Sequence, residues 1–141
     1  MARLLIIEDP SVSLRLTIFL LELAGHTALH ARDVETGLMM AQRDQPDLIL
    51  IDIQLPGMDG LQATARLKRE AGTRSIPVLA LSARTMSGDR ERMRSAGCDG
   101  FINKPASPER LLSTIAAYVP AHSLAVLPTA RTEHLGVWRD S

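Results

Sequence analysis

Short unbroken apolar runs alternate along this chain with longer stretches in which apolar positions recur at helical spacing. "RLLII" (3–7), "DLILID" (47–52), "IPVLALSA" (76–83) and "DGFIN" (99–103) read as strands, and "HTALHA" (26–31) as a weaker one. Between and after them, "SVSLRLTIFLLELAG" (11–25), "VETGLMMAQRD" (34–44), "LQATARLKREAG" (61–72), "SGDRERMRSAG" (87–97) and "SPERLLSTIAAYV" (107–119) read as helices. The punctuation agrees. Pro10 suits a first helical position and Gly25 a C-terminal stop. Asp33 and Ser107 suit N-caps, Pro108 a first turn, and Gly97 the end of the fourth helix. Strands that are apolar along their whole length are buried on both faces. Alternating with helices, they predict a doubly wound α/β fold: a five-stranded parallel sheet with helices on both faces. The pattern stops at Pro120. The expected organisation is one domain over 1–119 and a C-terminal tail over 120–141, too short for a second domain and either disordered or docking.

Charge and cysteine usage narrow the setting. Sixteen basic and sixteen acidic residues give a formal net charge of zero. That speaks against an electrostatic grip on nucleic acid or on an anionic membrane. The apolar run Leu14–Ala24 is interrupted by Arg15 and Glu22 and is too short to span a bilayer. The opening "LLII" meets Glu8 and Asp9 at once and does not read as a signal segment. A single cysteine, Cys98, excludes an internal disulfide and fits a reducing compartment, so a soluble cytoplasmic protein is expected.

The chemistry collects at the strand ends. Ligands of open α/β sheets bind at the carboxyl ends of the strands, near the point where strand order reverses. There this sequence puts Glu8 and Asp9 after the first strand, Asp52 on the third, Ser82 on the fourth and Lys104 after the fifth. Three neighbouring carboxylates repel one another unless one takes a proton or a cation joins them. Mg²⁺ takes oxygen ligands and keeps several waters, so a few carboxylates suit it. Lys104 and Ser82 are instead the types that hold an anion such as a phosphoryl group. A cation, a carboxylate and an ammonium about one point are equipment for phosphoryl transfer, with Asp52 as nucleophile and an acyl phosphate as product.

Four motifs in this order carry a resemblance: the acidic pair Glu8-Asp9, "DIQLPGMDG" after the third strand, "LSA" after the fourth and "NKP" after the fifth. Over about 1–119 the chain resembles the receiver domain of bacterial two-component response regulators. Within that family it looks most like DivK-type stand-alone regulators, through "DLILIDIQLPGMDGL" and "GDRERMRSAGCDGFINKP". The resemblance implies flavodoxin-like strand order 2-1-3-4-5. It implies that Asp52 accepts a phosphoryl group from a histidine kinase or a phosphotransfer protein. Asp9 would ligate Mg²⁺ directly, Glu8 through water, and the Gln54 backbone carbonyl would add a ligand. Lys104 would pair with the phosphoryl oxygens, Ser82 would hydrogen-bond them, and Phe101 would be the aromatic that turns inward as Ser82 moves. Lys104-Pro105 would be a cis peptide. Partners would dock on the fourth helix, fifth strand and fifth helix. Ser82 stands where threonine is more usual, Phe101 where tyrosine is common, and Pro10 where asparagine or aspartate is frequent. Gln54 and Arg84 fill the two positions that tune loss of the phosphoryl group.

The expectation is therefore a single-domain response regulator in a two-component system or phosphorelay. It would be a phosphoacceptor, not an enzyme with its own turnover, acting by protein contacts without direct nucleic-acid or membrane binding. A Mg²⁺-dependent phosphatase with an aspartate nucleophile would need a second acid where Gln54 stands. A receiver-like module that docks without phosphorylation would have no use for the intact Glu8, Asp9, Asp52, Ser82 and Lys104 set. No G-x-G-x-x-G or P-loop stretch supports a nucleotide site. The remaining features have plainer readings. Asp59-Gly60 is turn and cap chemistry, Cys98 an inert thiol, and His26, His30, His122 and His134 lack metal-ligand spacing. Asp89–Arg94 is a solvated helix face, and Trp138 a tail residue.

Overall fold

The computed structural model describes residues 2–53, 60–82, 87–104 and 106–119. Gln54, Asp59, Arg84, Pro105 and the whole 120–141 tail, with His122, His134 and Trp138, lie outside them. Ten elements alternate: β1 (Arg3–Ile7), α1 (Val12–Leu23), β2 (Thr27–Ala31), α2 (Val34–Asp44), β3 (Leu48–Asp52), α3 (Gly60–Arg69), β4 (Val78–Ser82), α4 (Ser87–Ala96), β5 (Gly100–Asn103) and α5 (Pro108–Ala116). The strands form one parallel sheet in the order β2-β1-β3-β4-β5, as the resemblance implied.

Side chains alternate across a strand, so each strand serves two cores. Leu4, Ile6, Leu48, Leu50, Leu79 and Leu81 face one layer, where they meet Leu14 and Leu21 of α1 and Leu111 and Ile115 of α5. Leu5, Ile7, Ile49, Ile51 and Val78 face the other, against Val34 and Ala41 of α2 and Ala63 and Leu67 of α3. A third cluster, Ala80, Met93, Cys98 and Phe101, seats α4. This two-sided burial is why the strands are apolar throughout.

Local signals set most boundaries. Asp33 caps α2 by accepting from the Thr36 amide at 2.8 Å, and Ser107 caps α5 by accepting from Arg110 at 3.1 Å. Gly25 and Gly97 take positive φ at helix ends, where a Cβ would be strained. One expectation is corrected: Pro10 is not the first helical residue. Ser11 is the N-cap, accepting from Leu14 at 3.0 Å, and Pro10 lies ahead of the helix. Asp47 also falls outside β3. Its carboxylate accepts from the Arg3 amide at 2.8 Å, so it anchors β1 rather than continuing the strand.

Gly60 has a packing reason beyond turn chemistry. A Cβ there would strike the Asp52 carbonyl oxygen and lie 2.7 Å from Ile53 Cα, which are backbone atoms that cannot rotate away. Gly60→Ala should therefore push α3 off the end of β3 and cost about 1–3 kcal/mol, the usual range for overpacking. Urea denaturation measures it. A variant as stable as the native chain would mean that α3 shifts freely.

Candidate functional site

All five strands run the same way, so Glu8, Asp52, Ser82 and Lys104 share one edge of the sheet. The register fixes their neighbours. Ile7 pairs with Ile51, which brings Glu8, one step on, beside Asp52. Ser82 pairs with Asn103, and the Lys104 amide then donates to the Ser82 carbonyl at 2.8 Å. Lys104 thus leaves the sheet from a hydrogen-bonded position directly after β5. Glu8 does the same after β1, because its amide donates to the Ala31 carbonyl at 3.1 Å.

From these fixed roots the side chains converge. Lys104 Nζ donates to Glu8 Oε2 at 2.7 Å and to Asp52 Oδ2 at 3.2 Å. The ammonium joins carboxylates 96 and 52 residues away in sequence. The Glu8 side chain is 4% exposed, that of Asp52 14% and that of Lys104 25%. The acids are therefore shielded and the lysine reaches them from the rim. Burial alone would lower the Lys104 pKa. Its hydrogen bonds and charge interactions with Glu8 and Asp52 more than offset that and raise it, so the ammonium is firmly charged. Ser82 is buried one strand away, and Asp9 is exposed next to Glu8.

The structure brings Glu8, Asp52 and Lys104 into direct contact, with Ser82 and Asp9 on the same edge. Gln54 lies outside the described residues. Phe101 is buried in the α4 cluster, and the Arg90 guanidinium stands 5.1 Å from its ring centroid. Two positioning contacts escaped the sequence reading. His30, read as incidental, places Nε2 2.8 Å from the Glu8 carbonyl oxygen. Asp99, read only as the start of a strand, accepts from Lys68 Nζ at 2.9 Å and from the Val78 amide at 2.8 Å, while its carbonyl accepts from the Tyr118 hydroxyl at 3.0 Å. Helical spacing of Lys68 and alternation around Asp99 carry no sign of a pairing over 31 residues.

Cys98 is the inert thiol expected. Burial pushes its pKa from 9.0 up to about 11, chiefly by desolvation, and its Sγ lies 3.9 Å from Thr64 Oγ1. The sign follows from proton counts. Between pH 9 and 11 the unfolded chain has lost this proton and the folded chain keeps it, so stability falls as pH rises. The contribution is intact below about pH 9 and gone by about pH 11, a loss of about 2–3 kcal/mol at 1.36 kcal/mol per pH unit. Urea midpoints at pH 8 and pH 10.5 should separate more for the native chain than for Cys98→Ala. Equal separations would remove Cys98 from the alkaline response.

A sequence model of the response regulator receiver domain matches residues 4–116. The chain belongs to that family. This receiver is 41% identical over 115 residues to the polar-differentiation response regulator DivK of Brucella anthropi, covering 82% of this chain and 94% of that protein. The DivK of Brucella melitensis matches at the same identity and coverage. Among solved structures, the chemotaxis protein CheY4 of Vibrio cholerae is 28% identical with a TM-score of 0.79, over 84% of this chain and 99% of that one. The receiver domain of the sensor histidine kinase PA1611 of Pseudomonas aeruginosa is 28% identical with a TM-score of 0.77, over 83% and 96%; that crystal structure has a magnesium ion coordinated in its active-site cleft. The chain is thus a DivK-like receiver of two-component signalling. Among the described residues, no helix is long and apolar enough to cross a membrane.

Proposed function

We propose that this receiver accepts a phosphoryl group on Asp52, takes it from a phosphohistidine of a kinase or phosphotransfer protein, and signals by protein contacts. The observation that carries the reading is the Lys104 ammonium held at once by Glu8 and Asp52, at 2.7 and 3.2 Å. An Asp52 Oδ attacks phosphorus, the P–N bond breaks, and the donor imidazole keeps its electron pair and is protonated. An acyl phosphate results. Lys104 then exchanges its bond to Asp52 for the new phosphoryl oxygens while keeping Glu8. The Ser82 hydroxyl, on the next strand but one from Glu8, donates to another of those oxygens. Phe101, in the cluster that seats α4, follows Ser82 inward and changes the face built from α4, β5 and α5, where a downstream protein reads it.

The donor set fits Mg²⁺. Glu8, Asp9 and Asp52 are hard oxygen ligands on one edge. Among the described residues no three acidic, histidine or cysteine groups close into a cage, but Mg²⁺ uses one or two carboxylates and fills its octahedron with water. Asp9 and Asp52 would hold it, with Glu8 through water and the Gln54 carbonyl as further ligands. When bound, the cation offsets charge on the phosphoryl oxygens. Lys104 alone cannot neutralise three carboxylates and an incoming phosphoryl group. The domain would comprise 1–119, work in the cytoplasm and have no turnover beyond its own phosphorylation and slow dephosphorylation.

Intact mass after incubation with acetyl phosphate tests the reading. One phosphoryl group should be gained with Mg²⁺ and none with EDTA. No uptake, together with no binding of beryllofluoride, would overturn it in favour of a receiver that docks without phosphorylation.

A further inference from the structure

Among the described residues, four of the five large apolar side chains left exposed lie on α1: Val12, Leu16, Phe19 and Leu23, at 84, 55, 57 and 68% exposure. Their spacing is four, three, four. At 3.6 residues per turn they fall within an arc of about 60°. The buried residues of this helix, Leu14 and Leu21, lie on the opposite side. The fold uses the buried side alone. The outer stripe is a second apolar face that the domain itself leaves in water, and such contiguous patches mark interaction surfaces.

We infer that the occupant of this stripe is the chain's own 120–141 segment. The topology brings them together. α1 and α5 pack on the same layer of a parallel sheet, and both run back from the strand ends to the strand starts. At the foot of α1, the His26 amide donates to the Leu21 carbonyl and Thr27 to Ala2, beside the start of β1. After α5, Val119 sits in the core cluster that holds Ala2 and Leu21, and the Tyr118 hydroxyl bonds Asp99 just before β5. The segment therefore leaves the domain at the end of the sheet where Leu23 lies. α1 is about 18 Å long, and a segment of this length reaches up to about 70 Å extended. It carries apolar side chains to place: Leu124, Val126 and Leu127, then Leu135, Val137 and Trp138.

Area favours this occupant over a second copy. A stable interface buries about 800 Å² on each partner, more than four side chains on a three-turn helix supply. A tethered segment needs less, because its effective concentration is of millimolar order. The stripe starts at Val12, three residues after Asp9, so a docked segment would also screen one side of the acidic rim. The docking itself does not depend on phosphoryl chemistry.

Trp138 is the only tryptophan and reports directly. In the full chain, segment amides should exchange at least about tenfold more slowly than in a free peptide, equivalent to docking in about nine molecules of ten. Trp138 emission should lie at shorter wavelength than in that peptide and resist acrylamide. Leu16→Glu with Phe19→Glu should erase both signals. Leu124→Ser with Leu127→Ser, outside the 4–116 match, should erase the slow exchange without touching the domain. Free-peptide exchange in the native chain, or protection that survives both pairs of substitutions, would overturn the proposal. Protection that rises with protein concentration, alongside dimers in sedimentation equilibrium, would overturn it in favour of a second copy.

Discussion

Asp52→Asn should take up no phosphoryl group from acetyl phosphate at any Mg²⁺ concentration, while remaining folded. Asparagine keeps the shape of the side chain and removes the nucleophilic charge. Two electrostatic changes oppose each other in the fold. Asp52 loses its attraction to Lys104 Nζ, now at 3.2 Å, and Glu8 loses a neighbouring like charge. The Lys104–Glu8 contact at 2.7 Å survives, so the buried acid keeps its partner. Because the two changes oppose each other, stability should stay within about 1 kcal/mol of the native chain. Intact mass gives the first result and urea denaturation the second. Undiminished labelling of a well-folded Asp52→Asn chain would move the acceptor elsewhere, with Glu8 and Asp9 the next residues to replace.

The placement of these residues on one edge was legible because each stands at the end of a strand that could be recognised by itself. "LILID" is a buried run that stops on an acid, and "GFIN" stops just before Lys104. Once five such runs alternate with helices, a parallel sheet places all their ends on one rim. Position along an element is readable from a sequence; the partner of a side chain is not. Lys104 bridging Glu8 and Asp52 depends on strand order, which came from the resemblance and not from periodicity. Asp99 with Lys68, and His30 with the Glu8 carbonyl, depend on contacts across elements. The start of α1 failed in a similar way. Pro10 and Ser11 are both acceptable openers, and the choice went to the residue whose hydroxyl could reach the Leu14 amide.

The structure also ties the site to the α4 face. Phe101 shares its cluster with Met93 of α4, and Arg90 of the same helix stands over its ring. Ala80, two residues before Ser82 on β4, lines that cluster as well. A displacement at Ser82 is thus one strand step from the packing that holds α4. In the proposed switch, phenylalanine in place of tyrosine has no hydroxyl to record an inward state, and packing with the guanidinium contact would carry the difference.

Lys104→Met should cost about 3 kcal/mol at pH 7 and uncouple phosphorylation from its readout. Methionine retains an apolar stem of similar reach, so the loss is the ammonium. Glu8 is then a buried carboxylate beside Asp52 with no cation. Breaking a fully buried pair from one side costs about 3–5 kcal/mol, and the part-exposure of Lys104 puts this case at the lower end. The pH dependence identifies the cause. In the native chain the raised Lys104 pKa keeps its contribution intact below the ordinary lysine value and loses it as pH rises through the elevated one. Adding Glu8→Gln should recover most of the lost stability, whereas a packing defect would persist in the double variant. Asp52 should still acquire some phosphoryl group, since its nucleophilic oxygen is untouched. The new oxygens would have no ammonium to draw in, so hydrogen exchange across α4 should no longer change on phosphorylation. A variant that matched the native chain in stability and in that exchange response would deny Lys104 both roles.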